Sequence, residues 1–296
     1  MTPQDFEFIA SLLKKHSGFS LVPNQLYLLE NRLAPVLRQN NLVSLEDLVT
    51  SLKLNNAELR KSVIEAVSVN NTRFFRNKYV FKIIEDFLNT SFKANEEHFP
   101  IRILSAGCAS GQEPVSIALL LHDMRLKRQI SMDIFALDMS RIIIERAKKA
   151  LYTHYEVQKG LPIRMLLKYF TPQQNNYWRL NESVLNSIHY RVHNLMNLFE
   201  EKDFDIVLCR NMLSFMTDEA QNQALKNLSE IMKANGLLII GASEVLKENA
   251  YFEKVPDKIA CYRLKQQFSA KDQNRLNKHS WTLTKKPRFK PALSKN

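Results

Sequence analysis

ILSAGCASGQEPVSIALLL, residues 103–121, decides the fold: an apolar run gives way to a turn of small residues and then to a second apolar run. Gly107 and Gly111 are two of only six glycines in 296 residues, with Ala106, Ala109 and Ser110 beside them. A strand-to-helix turn favours small residues because glycine reaches backbone angles that others avoid. The sharper alternative is that the backbone passes close to a group bound at the helix entrance. The spacing is GxxxG, not GxGxxG, and no Gly-Lys-Ser/Thr follows, which excludes a Walker-type phosphate loop. Glu113 places a carboxylate at the helix entrance, where it repels a pyrophosphate and suits an ammonium group.

Outward from this turn, IRILSA reads as a buried strand and the segment after Gly111 as a helix. MDIFALD is a second strand and SRIIIERAKKALY a second helix; IHYRVHNL and FDIVLCRN are two more strands. DEAQNQALKNLSEIMKANG reads as an amphipathic helix with an Asn-Gly stop, GLLIIGAS as a strand, and FEKVPD with IACYRLK as an antiparallel pair. Strands alternating with helices predict a parallel, doubly wound sheet with right-handed crossovers. Before it, residues 3 to 90 show helical spacing only: Phe6, Ile9, Leu12 and Leu13, then Leu29, Leu33, Val36 and Leu37. Asn24 and Asn41 suit caps or turns, and Ser44 followed by Glu46 and Asp47 suits a helix start. The expected organisation is a helical domain over 1–90, an α/β domain over 91–266 with a small β insertion near 170–190, and a basic tail over 267–296.

Apolar residues make up 45% of the chain and charged residues 24%, as in ordinary globular proteins. No apolar run reaches the length of a membrane helix, and the first residues lack a signal-peptide layout, so a cytoplasmic protein is expected. Cys108, Cys209 and Cys261 are odd in number and widely spaced, which argues against disulfides and zinc. From Lys265 onward there are nine Lys or Arg against the single acid Asp272, so much of the net charge of +12 belongs to the tail. KKPRFKPALSK interleaves cations with an aromatic as nucleic-acid-binding segments do, but such a tail equally suits acidic proteins or anionic membrane. Nucleic acid is therefore not the expected partner.

Ligands of a doubly wound sheet sit at the carboxyl ends of its strands. That rule selects the turn after Ser105, Asp138, the segment after Val192 and the segment after Leu208. Asp138 ends an apolar strand about 30 residues after the first turn, where an acid accepts ribose hydroxyls; its competing role is a helix N-cap. Asn194 and Leu195, and Arg210 and Asn211, follow two further strands, and an asparagine amide matches an adenine edge. VNNTRFFRN, residues 69–77, puts Asn70, Thr72 and Arg76 around Phe74 and Phe75. The two aromatics suit the core, and Asn70 and Thr72 could equally be caps.

These pieces, in this order, resemble the CheR family of chemotaxis-receptor methyltransferases. VNNTRFFRN, LSAGCASGQEPVSIA, ALDMS, LPIRMLLKYF, HNL, FDIVLCRNMLSF and GLLIIGASEVL carry the resemblance, in register from about residue 5 to 265. It implies a Rossmann-like methyltransferase sheet behind an all-helical domain, with S-adenosylmethionine as cofactor. The implied reaction is glutamate O-methylation on acidic receptor cytoplasmic helices, by an enzyme expected to be a monomer. The implied cofactor pocket takes Asn70, Thr72 and Arg76 from the helical side, with Arg76 also catalytic. Glu113 is implied at the cofactor's amino group, Asp138 at its ribose, and Asn194, Leu195, Arg210 and Asn211 at its adenosine end. Departures are Gln112 for a family glutamate, Val115 and Phe215 for family tyrosines, and Ala242 for a family histidine. Because the second of those tyrosines is considered catalytic, Phe215 keeps open a module that binds the cofactor with weak transfer, or transfer to another acceptor.

Overall fold

The computed structural model describes residues 2–21, 26–67, 72–94, 100–125 and 132–266. Five helices come first: α1 (Pro3–Ser17), α2 (Leu26–Gln39), α3 (Leu45–Lys53), α4 (Ala57–Val67) and α5 (Lys78–Ala94). Thr2 and Ser44 start α1 and α3 as reciprocal capping boxes with Asp5 and Asp47. Ile9, Leu13, Leu29, Leu33 and Val36 are buried in one bundle core, while Phe6, Leu12 and Leu37 pack partly buried at its edge. Asn41 occupies a turn at φ 54°, and Asn24 lies outside the described residues.

The sheet follows: β1 (Ile101–Ala106), α6 (Gln112–Arg125), β2 (Met132–Asp138) and α7 (Arg141–Lys149). After a small second sheet come β6 (Ile188–Val192), β7 (Phe204–Cys209), α11 (Asp218–Ile231), β8 (Met232–Ile240), β9 (Phe252–Lys254) and β10 (Cys261–Leu264). The strand order is β6-β2-β1-β7-β8-β10-β9, with β10 antiparallel to both neighbours. Alternate residues serve opposite faces: Ile103, Ile134, Ala136 and Ile239 join one core, and Leu104, Phe135, Leu137 and Leu238 the other. In register, Ala106 pairs with Cys209, Cys209 with Ile240, and Asp138 with Val192, so these strands end along one line. The order reverses between β1 and β7, which opens a crevice above that line.

Two helices are shorter than their apolar pattern predicts. The helix after Ser140 stops at Lys149, with Ala150 left-handed at φ 46°. Leu151–Thr153 becomes β3, which pairs with β5 (Tyr177–Leu180), itself paired with β4 (Phe170–Gln173), as a separate antiparallel sheet. The short helices α8 (His154–Gln158) and α9 (Ile163–Tyr169) connect β3 to β4, and α10 (Glu182–Leu185) leads into β6. Similarly, α11 ends at Ile231 rather than at Asn235-Gly236, because Met232 already pairs with Phe204. In both places strand pairing with distant segments overrides local helical periodicity. None of the helices among the described residues is long and apolar enough to cross a membrane.

Candidate active site

The turn after β1 is shaped by close approach. Gly107 sits at φ 78°, a conformation that favours glycine, and a Cβ there would lie 1.8 Å from Met212 Sδ, so a side chain would be strained and would displace Met212. Its amide and that of Cys108 donate to the Leu137 carbonyl at 2.8 Å, tying the turn to the end of β2. Asp138 then reaches back: its Oδ2 accepts the Ala109 amide at 3.1 Å and its Oδ1 the Ser140 amide at 3.0 Å. The N-cap of α7 is Ser140, so the carboxylate of Asp138 is not spent on capping. Burial raises the Asp138 pKa above the usual carboxylate value; the two amides oppose this, and the nearby Glu65 carboxylate adds to it.

Arg210 and Glu113 form the second fixed point. Arg210 Nη1 meets Glu113 Oε2 at 2.6 Å, with the two side chains 3% and 11% exposed, and Ser105 Oγ donates to Glu113 Oε1 at 2.8 Å. Its Nη2 donates to the Arg76 carbonyl at 3.0 Å and to Asn77 Oδ1 at 2.6 Å. One arginine thus joins the ends of β1 and β7 to the Thr72–Asn77 segment, whose Phe74 is buried in the core beside the sheet and not in that of the bundle. An ion pair this dry holds geometry because removing either partner strands a buried charge.

Two open clefts meet over this floor. The first is lined by Asp138, Met139, His193, Asn194, Leu195 and, from the helical side, Ser17 and Phe19. The second is lined by Thr72, Arg73, Arg76, Glu113, Arg210, Ser214 and Ser243. Gly107, Asn211, Met212 and Phe215 line both. The sequence-derived residues therefore converge on one place, apart from Asn70, which lies outside the described residues. Their division differs from expectation in one respect: Arg210 belongs to the cleft of Glu113, not to that of Asn194. The Asn194 amide is also engaged, donating to the His16 carbonyl at 2.7 Å while its Oδ1 accepts the Met196 amide at 3.0 Å.

Glu244 is the residue that motif reading passed over. Its Oε2 accepts the amides of Asn211 and Gly241, both at 2.7 Å, and its Oε1 accepts that of Ser214 at 3.1 Å. It therefore holds Asn211, at φ 59°, and the loop carrying Phe215. A buried glutamate just after an apolar strand was the available signal, since such a carboxylate requires donors. The thiols of Cys108 and Cys209 are fully buried and pushed up in pKa by that burial, which makes them poor nucleophiles.

A doubly wound sheet with an acid ending its second strand and a dry acid-arginine pair beyond its first presents the polar groups that an adenosyl cofactor with an amino acid end would need. The CheR methyltransferase SAM binding domain profile matches residues 70–261, and the CheR methyltransferase all-alpha domain profile matches 4–68. The chain belongs to the CheR methyltransferase family, and its cofactor is S-adenosylmethionine. Chemotaxis protein methyltransferase Cher2 of Pseudomonas putida is 30% identical over 248 residues, which cover 82% of this chain and 90% of that protein. Chemotaxis protein methyltransferase 1 of Pseudomonas aeruginosa gives the same identity and coverage. The chemotaxis protein methyltransferase of Vibrio parahaemolyticus is 29% identical over 251 residues, covering 83% and 90%.

The clefts fit this cofactor. Asp138 offers acceptors to a sugar hydroxyl, Glu113 a carboxylate to an ammonium, and the close-packed Gly107 a bare backbone between them. Arg76, half-buried, supplies a cation; burial first, then the charges of Arg210 and Arg73, lower its pKa.

Proposed function

We propose that this protein forms glutamate methyl esters on the acidic cytoplasmic helices of chemotaxis receptors, acting as a monomer in the cytoplasm. In this reading the α1–α4 bundle faces the acceptor and the chain from Thr72 to residue 266 holds the cofactor; the boundary expected at residue 90 moves forward because Phe74 and the buried face of α5 pack in the core beside the sheet. The observation that carries it is the second cleft, where Arg73, Arg76 and Arg210 stand against the single carboxylate of Glu113 beside the cofactor crevice. Three guanidinium groups against one carboxylate leave that cleft cationic, which favours an anionic acceptor.

Bound S-adenosylmethionine supplies a methyl group on a positively charged sulfur, a leaving group that requires no protonation. Asp138 would hold the ribose hydroxyls and Glu113 the amino group. Thr72 and Arg76 would reach in from the segment that leads into α5, with Leu195 and Asn211 along the adenosine. A glutamate side chain, with an ordinary pKa of about 4.3, is ionised at neutral pH, so no general base is needed. The protein's contribution is alignment of the acceptor oxygen with the methyl carbon and removal of water from the carboxylate. Phe215 and Met212, which line both clefts, supply apolar wall at the junction.

Incubation with methyl-labelled cofactor and a receptor cytoplasmic fragment should give label that mild alkali releases as methanol. Alkali-stable label would overturn the glutamate assignment. Cofactor binding without transfer to any receptor fragment or cell extract would instead establish the cofactor-sensing module that Phe215 suggests.

A further inference from the structure

We infer that Arg73 selects the acceptor by reading a second carboxylate that does not react, one helical turn from the glutamate being methylated. This rests on the glutamate-methylation reading above.

Arg73 and Arg76 flank Phe74 and Phe75 on one short segment, and both line the second cleft. The segment is rigid. The Phe74 ring packs edge-on against Tyr152 at 5.0 Å and Phe170 at 6.0 Å. The Phe75 amide donates to Ser116 Oγ at 2.9 Å, and a Cβ on Gly160 would lie 2.2 Å from the Phe74 carbonyl oxygen. The two guanidinium groups therefore differ in depth by construction. Arg76 is half-buried beside Arg210 and Glu113, whereas Arg73 is exposed at the mouth of the cleft. Arg73 makes no hydrogen bond or ion pair with any described residue. The deep position suits the cofactor's own carboxylate; a group arriving from solvent meets Arg73.

Charge decides which acceptor group Arg73 takes. During transfer the attacking carboxylate becomes a neutral ester: its oxygen forms a bond to the methyl carbon as the carbon–sulfur bond breaks and its electrons stay on sulfur. An arginine paired directly with that oxygen is strongest before the reaction and weakest after it, so it stabilises the ground state and slows the step. A neighbouring carboxylate keeps its charge throughout. Residues three or four apart on a helix lie about 5–6 Å apart, so a second acid one turn away can sit at the rim while the first enters the cleft. An arginine used this way contributes uniform binding, which is read in KM and not in kcat.

The test uses the full chain and two matched helical peptides, each with one target glutamate and with either glutamate or glutamine four residues on. The wild-type protein should methylate the first with about three- to tenfold lower KM and equal kcat, a preference that fades at high salt. Arg73→Gln should abolish the preference and leave the cofactor dissociation constant, by titration calorimetry, unchanged; Arg73→Lys should restore part of it. A wild-type protein with no preference, a retained preference in Arg73→Gln, or an effect on kcat alone overturns the inference and leaves glutamate methylation standing. Failure of the wild-type protein to methylate either peptide or any receptor fragment overturns the underlying reading, and this inference with it.

Discussion

Asp138 concentrates the tension between stability and function in one side chain. Its pKa is raised in the folded protein, chiefly by burial, so the ionised form proposed above to hold the ribose is disfavoured by folding. The linkage has a definite sign: the stability this carboxyl contributes is complete below the ordinary aspartate pKa and is lost as pH rises through the raised value. Asp138→Asn does not titrate. The difference in Tm between the cofactor-free wild type and this variant, wild type minus variant, should therefore be largest in acid and shrink as pH rises through the carboxylate range. Thermal melts between pH 3 and pH 7, about the window over which buried carboxyls ionise, test this. A difference independent of pH would remove the role of burial. At neutral pH the variant should bind S-adenosylmethionine at least about tenfold more weakly by calorimetry, the scale of a charge-assisted hydrogen bond. Phe215 makes the opposite case, a position where a hydroxyl is absent. It lines both clefts, so Phe215→Tyr places a hydroxyl at their junction and should raise kcat by about tenfold at unchanged cofactor affinity. A lower kcat in a receptor-methylation assay would mean that the apolar wall is itself required.

Elements acquire their function where their ends meet, and here the limits of sequence reading show. The alternation of strands and helices and the polar residues at strand ends were legible, because a buried parallel strand is an apolar run and a polar group after one needs a reason. Asp138, Glu113 and Arg210 announced themselves in that way. Glu244 did not, since its value depends on β8 ending beside β7: the Asn211 amide it accepts is 33 residues away. The strand Leu151–Thr153 was hidden for the same reason, its partners Tyr177–Arg179 lying beyond two helices. Glu244 is thus a staple between two loops, and cutting it should damage both. Glu244→Ala leaves the amides of Asn211, Ser214 and Gly241 without their acceptor, a destabilisation of about 2–4 kcal/mol in urea unfolding. Glu244→Gln retains one acceptor and should fall between the two. A loss below about 0.5 kcal/mol in the alanine variant, the range of ordinary surface changes, would show that solvent replaces the carboxylate freely.

At the scale of the whole molecule, the helical bundle and the sheet share the walls of the first cleft, the proposed seat of the adenosine. Ser17, the last residue of α1, and Phe19, just beyond it, line the first cleft together with Asp138. Around them the Asn194 amide donates to the His16 carbonyl, the Thr217 amide to the Gly18 carbonyl at 2.9 Å and the Ser20 amide to the Phe215 carbonyl at 2.8 Å. Phe19 is buried among Leu104, Leu195 and Met216 in the core of the sheet, not in that of the bundle. Gly18 permits this seat: it has φ 73°, and a Cβ there would lie 2.5 Å from Ala220 Cβ. Cofactor bound against these residues must therefore stabilise the attachment of the bundle as well as the sheet. A ligand present at a hundred times its dissociation constant adds about 2.7 kcal/mol to whatever folded unit binds it. The wild-type protein should melt in a single transition that S-adenosylmethionine moves upward as a whole, with hydrogen exchange slowed by the cofactor at residues 16–20 as well as at the turn after β1. Gly18→Ala should displace the seat, separate the two transitions and confine the ligand-induced shift to the sheet. If the bundle instead melts alone in the wild-type protein, and its transition ignores the cofactor, the adenosine site is built by the sheet without the helical domain.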